Sequence, residues 1–398
     1  MSMKTFDEAL AYLLEQAKPI GEMETLPLTQ LQGRILAEEI ISPVNVPPMP
    51  VATMDGYAVS AESVAQNSTL PISQRIAAGD QPEALQAGTA ARIFTGAPIP
   101  QGADAVVMQE ETTLDETHHQ VTVNAPVQAG QNIRATGASI QEGAKVLTVG
   151  QKLRPQEVGL MASMGIAQAR VYRRLKVATF TTGDELLEPG QAPEPGKIFN
   201  ANRYLLSGLI SELGLEFINL GQVADTLAAT QDALKQAASM ADVVMTTGGV
   251  SVGGEDHVKP AVESLGSLNM WKVKMKPGKP LAYGKVLDKP FIGLPGNPVS
   301  AFATFKLFAQ PFLRKMQGEQ QVVPQPLFVK ADFDWRKPSF RREFARGRLR
   351  RQGTETWVEL FANQDSGVLT STVWAEGFVV IPEDSTLAKG DIVAFYPF

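Results

Sequence analysis

The 398-residue chain reads as a multidomain α/β plus β protein built around a doubly wound, mostly parallel α/β unit. Three observations carry that reading. From Leu175 to about Gly318, short apolar runs alternate with stretches of helical periodicity, the pattern of a parallel sheet covered on both faces. Ahead of it, from the prolines at 43, 47, 48 and 50 to about Gly150, strand-like runs are separated by Gly, Pro and Asn turns. Behind it, from Pro324 to Phe398, short strands return, as in a small barrel or sandwich.

Residues 1 to about 45 read as helices. In the first of them Phe6, Ala9, Leu10, Leu13 and Leu14 recur at helical spacing. Acids inside that pattern, and the lack of a cleavage site, argue against a signal peptide. Strands are expected at 92–94, 105–108 and 120–123. A short helix follows, with Pro155 in its first turn and Gly165 near its end. Then come the strand LKVATF, a helix over 200–213 with Gly214 as its cap, the strand LEFINLGQV, and a helix over 226–240. ADVVM is the next strand, 256–265 a helix, 268–286 an inserted hairpin, PFIGL a strand and 299–316 a helix.

Composition excludes several functions. A net charge of −6 and a pI near 5.4 argue against nucleic-acid binding. The absence of cysteine removes disulfides, thiolate zinc sites, iron–sulfur clusters and a cysteine nucleophile, and is compatible with a reducing cytoplasm. No run approaches the roughly 18 apolar residues of a membrane span, so the chain is expected to be cytoplasmic. His118 and His119 lie in a polar turn and His257 has no evident partner, so no metal set or Ser/His/Asp arrangement emerges. There is neither GxxxxGK[ST] nor GxGxxG, which disfavours P-loop hydrolysis and dinucleotide redox chemistry.

In an open parallel sheet, ligands bind beyond the carboxyl ends of the strands. Three glycine-containing loops fall there: TTGDEL (181–186), TTGGVSVGGEDHVK (246–259) and LPGNPVS (294–300). Each leads towards a helix, whose N-terminal amides and about half a positive charge favour an oxyanion. Thr182, Gly183, Gly248, Gly249, Ser251, Gly253, Pro295, Gly296, Asn297 and Pro298 are the candidate binding residues of these loops. Glu185 and Asp256 would repel an anion unless Mg²⁺ bridges them to it. Asp256 reads equally well as a helix cap, and Asp184 and Glu185 as first-turn acids of a following helix. Lys272, Lys274 and Lys276 alternate and so share a strand face, with Lys279 beyond a Pro-Gly turn. In FRREFARGRLRR, Arg346, Arg348 and Arg350 also share a face; most of these arginines read as surface, with one or two left to reach an anion.

TMDGYAV (53–59), IFTGAPIPQGADAVV (93–107), QNIR (131–134), TTGDEL, TTGGVSVG, KPGKP (276–280) and LPGNPVSA (294–301) occur in this order. Together they resemble the MoeA family, which is related to the E domain of gephyrin, and the likeness spans nearly the whole chain. The resemblance implies an elongated homodimer with four domains per chain. These are a discontinuous helical domain at 1–45 and 146–174, a β-rich domain at 46–145, a MoaB/MogA-like pterin-binding α/β domain at 175–322, and a β-barrel at 323–398. It implies insertion of molybdenum from molybdate into adenylylated molybdopterin with release of AMP, assisted by Mg²⁺, in a cleft shared between two chains. By family position Asp55 and Thr95 face that cleft from the β-rich domain, and Glu185, Asp225 and Asp256 from the α/β domain. Lys272 and Lys276 match its basic positions, Pro295 and Pro298 shape the third loop, and Arg346 and Ser366 belong to the last domain. Asp55, Glu185 and Asp256 are the expected metal ligands. The adenylylating enzyme that supplies the substrate, and apo-molybdoenzymes or their chaperones, are the partners the resemblance suggests.

The chain departs from the family pattern in three places. Pro50, Val51 and Ala52, followed by Thr53, stand where the family carries Asp-Asn-Ser and Ala before Met-Asp-Gly. Ser139 replaces an acid of Gly-Glu-Asp-Ile, and Gly254 replaces the acid after Ser-Val-Gly, with Glu255 beside it. Two alternatives stay open: adenylylation of molybdopterin, or a non-catalytic pterin-binding scaffold or regulator on the same fold.

Overall fold

The computed structural model describes residues 3–249, 257–278 and 280–398. Its first helix, α1 (Phe6–Gln16), opens with a capping box: the Glu8 N–H donates to Thr5 Oγ1 at 3.2 Å and the Thr5 N–H to Glu8 Oε2 at 2.8 Å. The apolar stripe buries Phe6, Ala9 and Leu13. The Phe6 ring lies 4.9 Å from both Phe308 and Phe344, so α1 packs into the α/β core and against the C-terminal strands.

The rest of residues 1–45 corrects the expectation of helices. It holds the strands Met23–Pro27 and Ile40–Ile41 and a single 3-10 turn at Leu28–Gln30. Past Pro19 and Gly21 no helical period is sustained, and each strand finds a distant antiparallel partner, at Gln168–Tyr172 and Lys145–Leu147. With α2 (Pro155–Ser163) they enclose Leu31, Leu36, Leu153, Met161 and Val171. This part of the molecule is therefore paired strands with one helix.

The β-rich part is a six-stranded sheet in spatial order 105–108, 56–59, 90–93, 69–76, 120–123, 112–115. Along Gly56–Val59, Tyr57 and Val59 face one core and Ala58 another, the period-two signature of a strand buried on both sides. At the other end of the chain, 342–352, 355–360, 327–331, 392–397 and 377–381 form a ring, closed where Arg342–Gln352 pairs with Gly377–Ile381.

Between them lies a seven-stranded mixed sheet, ordered 3–4, 266–273, 280–286, 289–294, 243–247, 176–182, 216–223. The last four strands are mutually parallel. Gly266–Val273 and Pro280–Val286 form the expected hairpin, joined antiparallel to Lys289–Leu294. Val177, Val243 and Ile292 face α3 (Ala201–Glu212), while Ala178, Val244 and Phe291 face α4 (Leu227–Met240) and α5 (Val258–Leu265). Both faces are covered, which is why these strands read as unbroken apolar runs. Asn200 and Thr226 cap α3 and α4 with their side chains, and Gly214 follows α3 at φ +74°.

The expected helix over 299–316 is α6 (Pro298–Thr304) and α7 (Gln310–Met316), joined by a π-helical turn at Phe305–Ala309. Pro311 has no N–H to return to the chain one turn back, and the Gln310 N–H bonds to the Phe305 carbonyl five residues behind it. A second correction concerns TTGDEL. It leads into a two-residue strand, Leu186–Leu187, paired with Ile198–Phe199, so Asp184 and Glu185 are loop residues and not first-turn acids.

Candidate functional site

The chain runs from Lys176–Thr182 through α3 to its neighbour Glu216–Val223. It then returns through α4 to Val243–Thr247 on the opposite side. That reversal is a topological switch point, where the connecting loops diverge and leave a crevice. Thr181 pairs with Thr247, and Thr247 with Leu294, so three strand ends lie level. Their loops touch: a Cβ at Gly296 would lie 3.7 Å from Gly248 Cα, and one at Gly248 3.7 Å from the Thr182 carbonyl. Gly248 and Gly249 take φ of +80° and +65°, values that favour glycine.

The crevice opens into a cleft of about 750 Å³. Of the residues singled out in the sequence, Thr182, Glu185, Gly248, Gly249, Lys276, Pro295, Gly296, Asn297, Pro298 and Ser366 line it. Gly183 lies against it: a Cβ there would sit 2.6 Å from Glu185 Oε2, so its absence lets the carboxylate fold back over the backbone. Ser251, Gly253, Gly254, Asp256 and Lys279 lie outside the described residues.

The C-terminal barrel supplies the facing wall. Met275–Lys276 adds parallel to Arg342–Gln352, carrying Lys276 from the α/β sheet onto the barrel. There Lys276 Nζ lies 3.1 Å from Glu343 Oε2, a carboxylate whose side chain is 8 % exposed. Arg341 also borders the cleft, and its Nε is buried without a hydrogen-bond partner. Its guanidinium packs over the Phe340 ring at 5.7 Å. Arg341 is the arginine of FRREFARGRLRR that borders the cleft, a residue the sequence did not single out. It stands among arginines that are ion-paired: Arg342 with Asp7 and Glu383, Arg348 and Arg350 with Glu359.

Arg346 does not reach the cleft, against the expectation that it binds ligand. It is 1 % exposed, and its guanidinium donates to Ser371 Oγ at 3.0 Å and to the Asp365 carbonyl at 3.1 Å. Burial pulls its pKa down to about 10. Its work is to hold the loop that presents Asp365 and Ser366. Ser366 in turn ties the two walls: its Oγ accepts from Asn297 Nδ2 at 3.0 Å and its carbonyl from the Val299 N–H at 3.1 Å.

Some backbone amides of these loops and helix starts are already in use. The Val299 amide at the start of α6 is already used, the Arg203 amide in the first turn of α3 donates to Asn200 Oδ1 at 3.3 Å, and the Gly248 amide donates to the Leu294 carbonyl at 3.1 Å. Among the described residues Lys276 and Arg341 are the cations that border the cleft.

Asp55 and Thr95 pair with each other on the β-rich sheet and do not border the cleft within one chain. The Thr95 N–H and hydroxyl both donate to Asp55 Oδ1 at 2.8 Å and hold that carboxyl below the usual carboxylate range. Lys272 is exposed on the hairpin and Asp225 follows the edge strand; neither lines the cleft. Among the described residues no group of three or more acidic or histidine side chains could hold a metal ion. Of the expected metal ligands, Glu185 alone is described within the cleft. One such carboxylate suits Mg²⁺ that arrives with phosphate oxygens rather than a preformed protein cage.

Fold and site thus define a multidomain α/β protein whose sheet rim and C-terminal barrel together enclose a cleft with cations on its barrel wall. The chain belongs to the MoeA family. Residues 4–165 match the region described as MoeA N-terminal region (domain I and II), 178–315 a probable molybdopterin binding domain, and 329–398 the MoeA C-terminal region (domain IV). A Haemophilus influenzae protein named molybdopterin molybdenumtransferase is 40% identical over 401 residues, covering 100% of this chain and 99% of that relative. A Nostoc protein of the same name is 39% identical over 319 residues, covering 78% of this chain and 72% of its own. The solved molybdopterin biosynthesis moeA protein of Pyrococcus horikoshii superposes with a TM-score of 0.85 at 31% identity, with 100% of both chains covered.

Proposed function

We propose that this chain is a molybdopterin molybdenumtransferase, acting in molybdenum cofactor biosynthesis by inserting molybdenum from molybdate into a pterin dithiolene. The observation that carries the reading is the unpaired Arg341 Nε beside Lys276, set across the cleft from the loops at Gly248 and Gly296. A cationic wall suits molybdate, and a crevice of about 750 Å³ is roomy enough for a pterin bearing phosphates. The name of the Haemophilus influenzae relative, similar over the full length, points the same way.

The finer parts of the proposal follow from the family resemblance. The pterin arrives adenylylated, and AMP leaves as molybdenum enters. Mg²⁺ accompanies the phosphates, with Glu185 the carboxylate on this wall; bound there, it would neutralise phosphoryl charge. A homodimer brings Asp55 and Thr95 of a second copy to the cleft, which a single chain leaves without them. The setting is the cytoplasm, and the expected contacts are the enzyme that adenylylates molybdopterin and the apo-molybdoenzymes or chaperones that take the product.

The test mixes purified protein with adenylylated molybdopterin, Mg²⁺ and molybdate and follows AMP and metal-loaded pterin. Coupled release of AMP and uptake of molybdenum supports the reading. Consumption of ATP with unadenylylated pterin would instead identify an adenylyltransferase, and binding without turnover a scaffold.

A further inference from the structure

Asn202 is a cleft residue that neither the motifs nor the family resemblance brought forward. It occupies the first turn of α3, three residues after Phe199, which with Ile198 lines the same cleft. Its amide is not free to turn over. Nδ2 donates to the Gly296 carbonyl at 2.7 Å, and a carbonyl oxygen can only accept, so the two ends of the amide are assigned by chemistry. Oδ1 is therefore fixed as the other end. It is buried and has no hydrogen-bond partner. A buried acceptor left unmatched costs free energy that a ligand donor would recover.

The surroundings say what kind of donor. Ile198 and Phe199 are 61 % and 45 % exposed, large apolar surfaces open on the wall that carries Asn202. Lys276 and Arg341 belong to the barrel side. The cleft is thus polarised: cations at one wall, and at the other an apolar shelf beside a buried acceptor that has no partner. A flat ring with an amino group at its edge matches the second wall, and its anionic substituents match the first.

We propose that Asn202 is the specificity residue for a fused nitrogen heterocycle, its Oδ1 accepting from the exocyclic amino group while Ile198 and Phe199 flank the ring. This rests on the reading of the cleft as a molybdopterin site. Two parts of that substrate share the required chemistry, the pterin and the adenine of its adenylyl half.

The test compares ligand pairs that differ at that amino group: AMP against IMP, and pterin against lumazine, in which oxygen replaces the amine. Affinities are measured for wild type, Asn202→Leu and Asn202→Asp, with orthophosphate as a probe of the cationic wall and thermal melting as a check of folding. In wild type, one amino ligand is expected to bind about tenfold more tightly than its oxo partner. Asn202→Leu should abolish that preference and leave orthophosphate binding unchanged. Asn202→Asp, which keeps an acceptor, should retain the preference, and it answers the question if the leucine variant melts early. Loss of the AMP preference places adenine on the shelf; loss of the pterin preference places the pterin there. A preference that survives Asn202→Leu, or is absent from a wild type that binds all four ligands, overturns the inference alone. A wild type that binds none of the four overturns the molybdopterin reading beneath it.

Discussion

The two walls of the cleft were built by different rules. The α/β wall is local: each loop follows its strand directly, and Thr181, Thr247 and Leu294 align because neighbouring parallel strands pair in register. The barrel wall is assembled at long range, with Lys276 delivered by a two-residue strand, Arg341 preceding a strand of the ring, and Ser366 in a loop held by buried Arg346. Local turn chemistry shapes the first wall, whereas charge accounting across distant segments decides what the second can bind.

The contrast is sharpest in the cations. Arg341→Ala removes a guanidinium that borders the cleft, and kcat/KM for molybdenum insertion is expected to fall about 10²–10³-fold, the effect of deleting a cation that stabilises substrate charge. Equal activity in that variant would mean the barrel wall does not touch the reacting anion. Lys276→Ala should cost less, roughly tenfold, because Glu343 already balances part of that charge. Glu343→Gln sharpens the comparison, since freeing the Lys276 amine should raise orthophosphate affinity in a binding titration. Ser366→Ala removes the Asn297 bond but not the backbone bond to Val299, and KM should rise about fivefold, near 1 kcal/mol, with melting almost unchanged.

The smallest effect at the site should come from a group remote from it. Arg173 pairs with Asp242 at 2.7 Å and with Glu22 at 2.6 Å, fastening the paired strands near the N-terminus to the α/β sheet. Burial pushes the Asp242 carboxyl up, but Arg173 and the Lys176 N–H outweigh it and leave the pKa depressed. A depressed folded-state pKa gives stability that is complete above the unfolded value, near 3.8, and is lost as pH falls through the lower folded value. Arg173→Ala should therefore cost about 1–3 kcal/mol at neutral pH and flatten the acid dependence of melting below pH 4, with ligand affinity at pH 7 intact.

How much could be read from the chain follows the same division. Unbroken apolar runs, helical periodicity and the glycine at 214 made the α/β alternation legible, because each signal acts within a few residues. The strand pair Leu186–Leu187 with Ile198–Phe199 was not legible, since two residues are too short for any period and the partner lies across a loop. Residues 1–45 misled because one amphipathic helix was extended over a stretch that finds its strand partners more than a hundred residues away. Arg341 and Asn202 escaped notice for a different reason. Neither is unusual in its own neighbourhood: Arg341 and Arg342 are adjacent, yet one is ion-paired and the other has an idle Nε. Whether a polar atom is spent or spare is a property of the packed molecule.

The double attachment of Ser366 also sets an order of events. The first turn of α6 borrows its carbonyl from the barrel, so a chain whose last strands have not yet closed has a sheet but an unfinished crevice. Competence to hold a ligand must therefore arrive after the central layer is built, and on gentle unfolding it should vanish before that layer melts.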